Sequence, residues 1–521
     1  MPRRGEIFIK DIYSDRLYPL AVNQELNTIY VVPKYIQNKK DVADKLSELL
    51  ELDSDDIYNK INKKDDPYEA IKDKLSDEFV EKIRSEEIEG VYFMPEIIRY
   101  YPGDTLASNV IGFLGYNGEK REGQYGIEGY YNERLEGKMG FLEIEKDASG
   151  NWISFGLKSS QSPKDGSSII LTIDRTIQYL AEKKLKNAIE LYDASKGDII
   201  VMDPRTGEVI ALAQYPNYNS NEYFKEEDMS VFLNSGIHNL YEPGSVQKPI
   251  TMAIGIDLGK ISPNTTYIDK GYSEVDDWTI KNSDGKANGK QTMTEVLEKS
   301  LNTGTIFVAQ NIKKDDFYDY LSNFGLDQLT GIEIAGEARG NLSNLKNRKD
   351  ISYATASYGQ GISVTPLAMI SAICVFANDG KLMKPHIVSE FINADDTREK
   401  NKPISLRQVV SPRTANIISA MMVSVIENGH ATQAKVKGYN FAGKTGTAQI
   451  PKKDGRGYEE DKTIHTFVGF GPMPNPKFAI LVKLDEPKNA PFAANTTAVV
   501  FKEFAEMLVN YYNIPPTKDI E

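Results

Sequence analysis

The sequence predicts an α+β fold, in which an antiparallel sheet flanked by helices is preceded by an elongated domain of mixed helices and strands. Two hairpin patterns support this prediction, at residues 198–212 and 464–484, and they lie at the two ends of a helix-rich middle. Strands on both sides of a helical region are typical of antiparallel α+β domains. The 521 residues exceed the roughly 250 to 300 at which one hydrophobic core stops growing, so two or more domains are expected.

The first third of the chain predicts a domain of its own. Residues 36–88 are rich in Lys, Asp and Glu and carry apolar residues at helical spacing, which predicts an exposed helical insertion. Residues 29–32 and 110–116 have the composition of short strands. Because the pattern becomes more regular afterwards, we expect an N-terminal domain over residues 1–165 and a second domain over residues 166–521.

The second domain is predicted to begin with a strand at residues 169–173 and a helix whose apolar residues recur at helical period over 177–191. A hairpin follows, with its turn at residues 203–207, where Pro presets the turn and Gly accepts a positive φ. The second hairpin, near the C-terminus, precedes an amphipathic helix over residues 497–511. These elements predict a sheet with helices packed against it.

Composition and charge exclude several classes of protein. A formal net charge of -13 argues against a nucleic-acid partner, which would require concentrated Lys and Arg. The fractions of hydrophobic residues, 40%, and charged residues, 26%, are typical of folded globular domains. The single cysteine, Cys374, lies in an apolar run and predicts a buried side chain without a disulfide. The sequence contains neither a run of about 18 apolar residues nor a signal-peptide pattern.

Ser245 is the leading candidate for a nucleophile. It follows a Pro-Gly pair and precedes an apolar helical run, and Pro249 fits only the first turn of that helix. The i, i+3 spacing places the Ser245 hydroxyl and the Lys248 amine on one face, as a nucleophile and its base require. Ser-x-x-Lys also occurs at residues 283–286 and 343–346, but both matches lie in polar, turn-like sequence without an apolar helix behind them.

Two further short patterns follow along the chain. Ser300-Leu301-Asn302 comes after a helical run, although Ser-x-Asn also occurs at residues 149–151 and 262–264, where it is typical of a cap or turn. Lys444-Thr445-Gly446-Thr447 occurs once. A strand with Lys and Thr on one side, and a glycine that allows close approach, can bind an extended peptide ending in a carboxylate. A phosphate-binding loop is excluded, because its upstream glycine pattern and following helix are absent.

The order Ser-x-x-Lys, Ser-x-Asn, Lys-Thr-Gly is the motif set of β-lactamases and penicillin-binding proteins. The chain resembles the class B, monofunctional penicillin-binding proteins, peptidoglycan D,D-transpeptidases of cell elongation or cell division, over nearly its whole length. In the transpeptidase part, the resemblance extends to residues 170–178, 202–211, 358–361 and 364–367. Upstream, it extends to the family's non-catalytic pedestal domain at residues 4–5, 99–102 and 123–128.

The chain departs from the family pattern at two places. After Arg4-Gly5 it has Asp15-Arg16-Leu17-Tyr18 where the family carries Asp-Arg-Asn-Gly, which leaves the opening strand of the pedestal undecided. Gln247 occupies a position that is more often apolar, and it is expected to alter the helix face beside Lys248. Family members carry one membrane anchor just before the Arg-Gly stretch. We therefore expect an extracytoplasmic protein, held in the bacterial cell membrane by a single N-terminal anchor that this sequence lacks.

None of the four histidines has an evident place beside the serine, so Lys248 is expected to take its proton, with a pKa lowered by burial and by Lys444. The resemblance implies that Ser245 attacks the penultimate D-Ala carbonyl of a stem peptide ending in D-Ala-D-Ala. An amine from another strand then takes the acyl group. Ser300 would relay a proton, and the backbone N–H groups of Ser245 and Thr447 would form the oxyanion hole.

The resemblance also implies which residues bind ligands. Asn302 would hold the substrate amide, while Lys444, Thr445, Gly446 and Thr447 would receive the terminal carboxylate. β-Lactams imitate this peptide and would acylate the same serine. No metal or organic cofactor is expected, and a membrane glycosyltransferase is the expected protein partner.

Two other functions compete with this interpretation. A serine β-lactamase or D,D-carboxypeptidase would share the motifs but use water as the acceptor, and a β-lactamase has no need of an N-terminal domain of about 165 residues. A non-catalytic penicillin-binding sensor or scaffold would keep the fold without turnover. The three intact motifs favour the transpeptidase.

Overall fold

The structure is a computed structural model that describes residues 2–63, 66–118, 120–144, 158–452 and 457–518. The strands of the N-terminal region are β1 (Ile7–Asp11), β2 (Ser14–Val31), β3 (Glu69–Leu75), β4 (Val91–Tyr100), β5 (Phe113–Asn117), β6 (Lys120–Gln124), β7 (Phe141–Ile144) and β8 (Lys158–Gln161). Its helices are α1 (Lys39–Leu50), α2 (Ser54–Ile61), α3 (Asp77–Arg84), α4 (Ser108–Ile111), α5 (Gly126–Tyr130) and α6 (Asn132–Glu136).

A separate small core forms where β2, β3 and β4 meet α1, α2 and α3, and we call this part of the molecule the head. The side chains of Asn38, Asp53 and Ser76 each accept a backbone N–H in the first turn of one of these helices, which fixes where the helix starts. Ile29 and Ile57 are among the residues buried in the head core. The head therefore has its own hydrophobic core within the N-terminal region.

The remaining elements carry the larger core. The strands are β9 (Ser168–Asp174), β10 (Lys196–Met202), β11 (Val209–Tyr215), β12 (Thr266–Asp269), β13 (Tyr272–Val275), β14 (Trp278–Lys281), β15 (Gly289–Thr292), β16 (Lys381–Met383), β17 (Val388–Ile392), β18 (Arg398–Lys400), β19 (Ser405–Gln408), β20 (Ala442–Pro451), β21 (Tyr458–Gly471) and β22 (Phe478–Asp485). The helices are α7 (Arg175–Tyr192), α8 (Ser235–His238), α9 (Lys248–Asp257), α10 (Met293–Glu298), α11 (Asn302–Gln310), α12 (Lys314–Asn323), α13 (Asp350–Ser357), α14 (Pro366–Ala377), α15 (Pro412–Glu427) and α16 (Thr497–Tyr511).

A five-stranded antiparallel sheet organises this part of the chain, in the order β11-β10-β22-β21-β20. Helices α7 and α16 pack against its strands, and the almost fully buried α14 packs against β10, β21 and β22. Strand β20 lies at the edge of the sheet. Over the part of the chain that the structure describes, one side of β20 therefore pairs with no strand, and β20 contacts the segment that precedes α9.

The second large sheet joins the beginning of the chain to its middle. Strand β1 pairs in parallel with β9, with Ile7 opposite Ile169, and β9 pairs with β17. Ile7, Val110 and Ile169 belong to the same buried cluster as the core of the five-stranded sheet. The larger core thus includes residues from both sides of position 165.

Most of the regular elements predicted from sequence are confirmed. The strand at 169–173, the helix at 177–191, both hairpins and the C-terminal helix correspond to β9, α7, β10 with β11, β21 with β22, and α16. The strand predicted at 110–116 is wrong over its first residues, because α4 extends to Ile111 and β5 begins at Phe113. Residues 36–88 contain the expected helices together with β3, a strand that the pattern did not predict. The opening strand, left undecided by sequence, is present as β1.

Cys374 is buried within α14, as expected, and burial raises the pKa of its thiol. Over the described ranges, no helix is both long enough and apolar enough to cross a membrane.

Candidate active site

Ser245 lies in a 3-10 turn, Gly244–Gln247, that continues directly into α9. Gly244 has a φ of 55°, and its N–H donates to the carbonyl oxygen of Gly359 at 3.0 Å. Pro249 falls in the first turn of α9, where a missing N–H costs no hydrogen bond. The predicted placement of the serine at the start of an apolar helix is confirmed.

The edge strand β20 runs close beside this turn. A Cβ atom on Gly446 would lie 2.8 Å from the Pro243 carbonyl oxygen and 3.2 Å from the Val246 side chain. Glycine at this position is what allows the strand to approach the serine turn. Ser245 and the Lys-Thr-Gly-Thr strand therefore border the same cleft, as the sequence predicted.

Lys248 is completely buried, and its amine reaches the turn between α10 and α11. Nζ donates to the Ser300 carbonyl oxygen at 2.5 Å and to Asn302 Oδ1 at 2.8 Å, and it lies 3.3 Å from Ser300 Oγ. Among the described residues, no hydrogen bond joins Lys248 to the Ser245 hydroxyl. In this structure the amine is therefore held by the second motif rather than by the serine.

Ser300 stands between the two buried lysines. Its Oγ accepts a hydrogen bond from Lys444 Nζ at 2.9 Å while also lying within reach of Lys248. Ser300 has a φ of 54°, a left-handed conformation that is costly for a non-glycine residue and that concentrates at functional sites. This backbone conformation points both its carbonyl and its hydroxyl toward Lys248.

Burial governs the protonation of these lysines. Burial, together with the neighbouring Lys444 charge, holds the pKa of Lys248 well below its usual range. Burial alone lowers the pKa of Lys444 to about 7. A lysine with a depressed pKa can be neutral near physiological pH and can accept a proton. The electrostatics suit Lys248 to act as a base.

Asn302 begins α11 and links the two walls of the cleft. Its Nδ2 donates to the Lys281 carbonyl oxygen at 3.0 Å, on the opposite β13-β14 hairpin, while its Oδ1 accepts from Lys248. Thr447 Oγ1 accepts the Ala493 N–H at 3.1 Å, which leaves its own hydroxyl proton available. The cleft enclosed by these residues has a volume of about 1080 Å³.

Two family models match the chain. The penicillin-binding protein dimerisation domain matches residues 1–171, and the penicillin binding protein transpeptidase domain matches residues 197–506. The chain belongs to the penicillin-binding protein transpeptidases. The fold class, the family and the transpeptidase activity expected from sequence are confirmed.

Curated relatives and solved structures agree with this membership. The chain is 33% identical over 493 residues to stage V sporulation protein D of Bacillus subtilis, covering 94% of this chain and 75% of the relative. It is 30% identical over 510 residues to the probable peptidoglycan D,D-transpeptidase PenA of Neisseria meningitidis, covering 96% and 84%.

Among solved structures, penicillin binding protein 3 of Mycobacterium tuberculosis, complexed with aztreonam, has a TM-score of 0.76 and 25% identity and covers 100% of this chain and 98% of that chain. Penicillin binding protein 2X of Streptococcus thermophilus, with a TM-score of 0.82 at 23% identity, covers 98% and 79% and supports the fold.

The competing motif matches of this penicillin-binding protein lie elsewhere or lack the geometry. Ser283 also lines the cleft, but it sits in a turn after β14 rather than at the start of a buried helix. Ser343 begins a short 3-10 helix outside this cleft. Ser262 hydrogen-bonds Thr265 in a turn, and the match at 149–151 lies outside the described residues.

His430 is a cleft residue that the sequence reasoning missed. Its Nε2 lies 2.5 Å from Thr445 Oγ1 and 3.3 Å from Lys444 Nζ, and its Nδ1 lies 2.5 Å from the Glu298 carbonyl oxygen. No motif marks it in the sequence, because a turn after α15 brings it against β20 only in the folded chain. Tertiary packing is what places it in the site.

Proposed function

We propose that this transpeptidase cross-links peptidoglycan stem peptides ending in D-Ala-D-Ala through an acyl-enzyme on Ser245. The observation that carries the proposal is the single hydroxyl of Ser300 within reach of two buried lysines, in the cleft that Ser245 lines. We infer that this network moves a proton between the base and a leaving amine once Lys248 has taken the proton of the Ser245 hydroxyl. Nucleophile, base and relay are the parts that acyl transfer requires.

Acylation begins when neutral Lys248 takes the Ser245 proton. The serine oxygen bonds to the penultimate D-Ala carbonyl carbon, and the peptide C–N bond breaks. The leaving nitrogen needs a proton, which Lys248 supplies through the Ser300 hydroxyl within its reach. The terminal D-Ala departs as a free amino acid, and the donor peptide remains as an ester on Ser245.

Deacylation repeats these steps in reverse with a new amine. An amine from another stem peptide attacks the ester carbonyl and gives its proton, through Ser300, to the Lys248 network. The C–O bond to Ser245 breaks, and the serine oxygen takes a proton back from Lys248. The product is a peptide cross-link, and the enzyme returns to its starting state.

The oxyanion of each tetrahedral intermediate is proposed to bind the backbone N–H groups of Ser245 and Thr447. Ser245 lies in the first helical turn, where N–H groups lack intrahelical partners, and Thr447 is on edge strand β20. Losing one such donor commonly costs about 3 kcal/mol of transition-state stabilisation. Asn302 is proposed to hold the substrate amide, and the Lys444, Thr445 and Thr447 side of β20 to receive the terminal carboxylate.

β-Lactams are proposed to acylate Ser245 as mimics of the stem peptide, since a relative was solved in complex with aztreonam. We also propose an extracytoplasmic location with a single N-terminal membrane anchor, and a membrane glycosyltransferase as partner. Both proposals rest on the family resemblance.

The direct test is peptide mass spectrometry after treatment with benzylpenicillin. We expect the penicilloyl adduct on the fragment that contains Ser245. Ser245→Ala should abolish the adduct, while Ser283→Ala and Ser343→Ala, which remove the competing serines, should leave it intact. An adduct on another serine, or persistent labelling of Ser245→Ala, would contradict the proposal.

A second measurement separates the competing functions. Incubation with a D-Ala-D-Ala peptide and an acceptor amine should give a cross-linked product. Release of the hydrolysed peptide alone would indicate a carboxypeptidase, and rapid turnover of penicillin would indicate a β-lactamase. Absence of any covalent label would indicate a non-catalytic sensor or scaffold.

A further inference from the structure

The imidazole of His430 is held at both nitrogens. Nδ1 faces the Glu298 carbonyl oxygen at the end of α10, and Nε2 faces the Thr445 hydroxyl and the Lys444 amine on β20. The ring thus bridges the helix that precedes Ser300 and the strand that carries Lys444. Outside this bridge, Lys444 and Ser300 are joined directly by a single hydrogen bond.

These partners decide the tautomer of His430. A carbonyl oxygen only accepts hydrogen bonds, so Nδ1 must carry the proton and donate it to Glu298. In the neutral ring, Nε2 is then an acceptor. Burial first, and the Lys444 charge second, lower the pKa of His430 to about 3, so the ring stays neutral at physiological pH.

The Nε2 lone pair completes the environment of Lys444. An ammonium has three N–H donors, and Lys444 Nζ meets Ser300 Oγ at 2.9 Å, the Thr445 carbonyl oxygen at 3.1 Å and His430 Nε2 at 3.3 Å. Each acceptor favours the charged form of a fully buried amine. Removing the acceptor at His430 would leave the third N–H with only the Thr445 hydroxyl oxygen, at 3.4 Å, as a partner among the described residues.

The same lone pair orients Thr445. At 2.5 Å from Nε2, the Thr445 hydroxyl donates its one proton to His430. Its oxygen also lies 3.4 Å from Lys444 Nζ, so the ring contacts this amine both directly and through Thr445.

We propose that His430 is a positioning residue for acylation, whose neutral imidazole holds the Lys444 ammonium against Ser300, both directly and through the Thr445 hydroxyl. The proposal rests on the proposed roles of Ser245, Lys248 and Lys444. His430 does not touch the reacting atoms, and it acts only through Lys444 and Thr445.

Among the charged groups near the His430 ring, the Lys444 amine is the one that contacts the ring directly. Lys248 faces the same cavity and is the other nearby amine. On α10, the Glu298 carboxylate is engaged by Ser424 Oγ, and the neighbouring Lys299 donates to Gln291. On α15, Glu427 pairs with Lys435 and Lys518. Titration near His430 is therefore expected to report on the two buried lysines.

The test is the rate of acylation by benzylpenicillin, measured from mildly acidic to alkaline pH. The rate should rise as Lys248 loses its proton and fall again as Lys444 loses its own. A bound carboxylate stabilises the Lys444 ammonium, so this alkaline limb should lie no lower than about pH 7 in the unaltered protein.

His430→Ala should lower the acylation rate by about tenfold or more, as expected for a misplaced catalytic group, and should move the alkaline limb to lower pH. In His430→Gln, the amide NH2 can donate to the Glu298 carbonyl oxygen and the amide oxygen can accept from Thr445. This variant should therefore have the acylation rate and the alkaline limb of the unaltered protein. His238→Ala is the matched control, because His238 Nδ1 also contacts a backbone carbonyl oxygen, that of Gly336 at 2.8 Å, but lies outside the cleft.

Two results would overturn the inference: a His430→Ala variant with the original rate and alkaline limb, or a His430→Gln variant that fails to regain them. If the melting curve shows that His430→Ala does not fold, the test rests on His430→Gln. A His430→Gln variant with a lower acylation rate than the unaltered protein would then overturn the inference. Failure of the unaltered protein to acylate at Ser245 would instead refute the proposed function, so the two failures are distinguishable.

Discussion

At the scale of single residues, the site depends on keeping two lysine amines out of water. An ammonium moved from water into a protein interior loses several kcal/mol of solvation, so a buried lysine tends to release its proton. Burial and the neighbouring Lys444 charge hold the pKa of Lys248 well below its usual range, while burial lowers the pKa of Lys444 to about 7. We therefore propose a division of roles, in which Lys444 supplies the positive charge and Lys248 supplies the lone pair that accepts a proton.

Replacing Lys248 tests this division. Lys248→Ala should still bind benzylpenicillin but acylate slower by about 100-fold to 10,000-fold, the range typical of general-base catalysis. Lys248→Arg should be as slow, because a guanidinium does not lose its proton in proteins. Rapid-quench measurement of the acyl-enzyme gives the rate. Lys299→Ala is the control, since Lys299 lines the cleft but its amine donates to Gln291. If Lys248→Ala acylates as fast as this control, Lys248 is not the base.

Gln247 beside the base carries a measurable cost. Its side chain is fully buried, and neither its Oε1 nor its Nε2 has a hydrogen-bond partner among the described residues. A buried polar group without a partner costs about 1 to 3 kcal/mol, so Gln247→Met, of similar shape, should raise the free energy of unfolding by about that amount. Chemical denaturation measures it.

Gln178→Met is the matched control for that substitution. Gln178 is equally buried, but its amide hydrogen-bonds both the N–H and the carbonyl oxygen of Leu212. Here the same replacement should lower stability, because it leaves the Leu212 backbone groups unpaired. Opposite signs for the two variants support the argument, and a loss of stability in Gln247→Met would contradict it.

At the scale of elements, the sequence predicted those whose hydrophobic period is long and regular. Helices α7 and α16 bury one face against the five-stranded sheet, so their helical period is visible in the sequence. The hairpin strand β22 is buried almost throughout, so it is visible as a continuous apolar run. The position of Ser245 at a helix start could also be predicted from the sequence, because Pro249 and the apolar run of α9 mark that start.

Features that depend on distant contacts could not be predicted in this way. Ser300 has a left-handed φ in the turn between α10 and α11, where its carbonyl and hydroxyl contact the distant Lys248 and Lys444. The position of His430 depends on where α15 ends beside β20, and strand β3 exists because β2 pairs with it across a long insertion. In each case the deciding contact joins residues that are far apart in the sequence, or whose approach leaves no local pattern.

The contact between β20 and the serine turn gives a prediction at this scale. Gly446→Ala places a Cβ atom 2.8 Å from a backbone carbonyl oxygen, so the strand or the turn must move. A displacement of about 1 Å near the reacting atoms can cost on the order of 100-fold in rate. We therefore expect acylation by benzylpenicillin to fall by about tenfold or more, while the melting temperature changes little.

Gly129→Ala is the control for this effect. In α5, outside the cleft, an added Cβ would have its nearest neighbour at 3.2 Å. It should leave the acylation rate unchanged. If Gly446→Ala acylates as fast as this control, the close approach of β20 is not needed for the reaction.

At the scale of the whole molecule, the domain boundary near residue 165 stays a prediction. The two hydrophobic cores determine how a truncation at this boundary should change stability. The head core contains residues from Ile29 to Ile83 and does not merge with the larger core. The larger core, by contrast, combines β1 and Val110 with β9 and the five-stranded sheet. Glu128, completely buried, is bound by both Arg4 and Arg99, so an ion-pair cluster ties the start of the chain to α5.

The separation of the two cores predicts different effects of two deletions on the melting temperature of the larger core. A fragment starting at Lys164 keeps every residue of the cleft, so it should still form the penicilloyl adduct. It should melt at a lower temperature than the full chain, because β9 loses its pairing with β1 and exposes Ile169. Removing the head instead, by joining Leu26 to Glu96 through a tight Asn-Gly turn, leaves the larger core intact, since these two residues are already opposite each other on β2 and β4.

The headless chain should therefore label with penicillin at the full rate and keep the melting transition of the larger core. Scanning calorimetry and fluorescent penicillin labelling of both variants provide the comparison. A Lys164 fragment as stable as the full chain would show that β1 contributes little to the second domain, and that the two domains fold independently. A headless chain that loses labelling would show that the head supports the cleft, against the separation of the two cores.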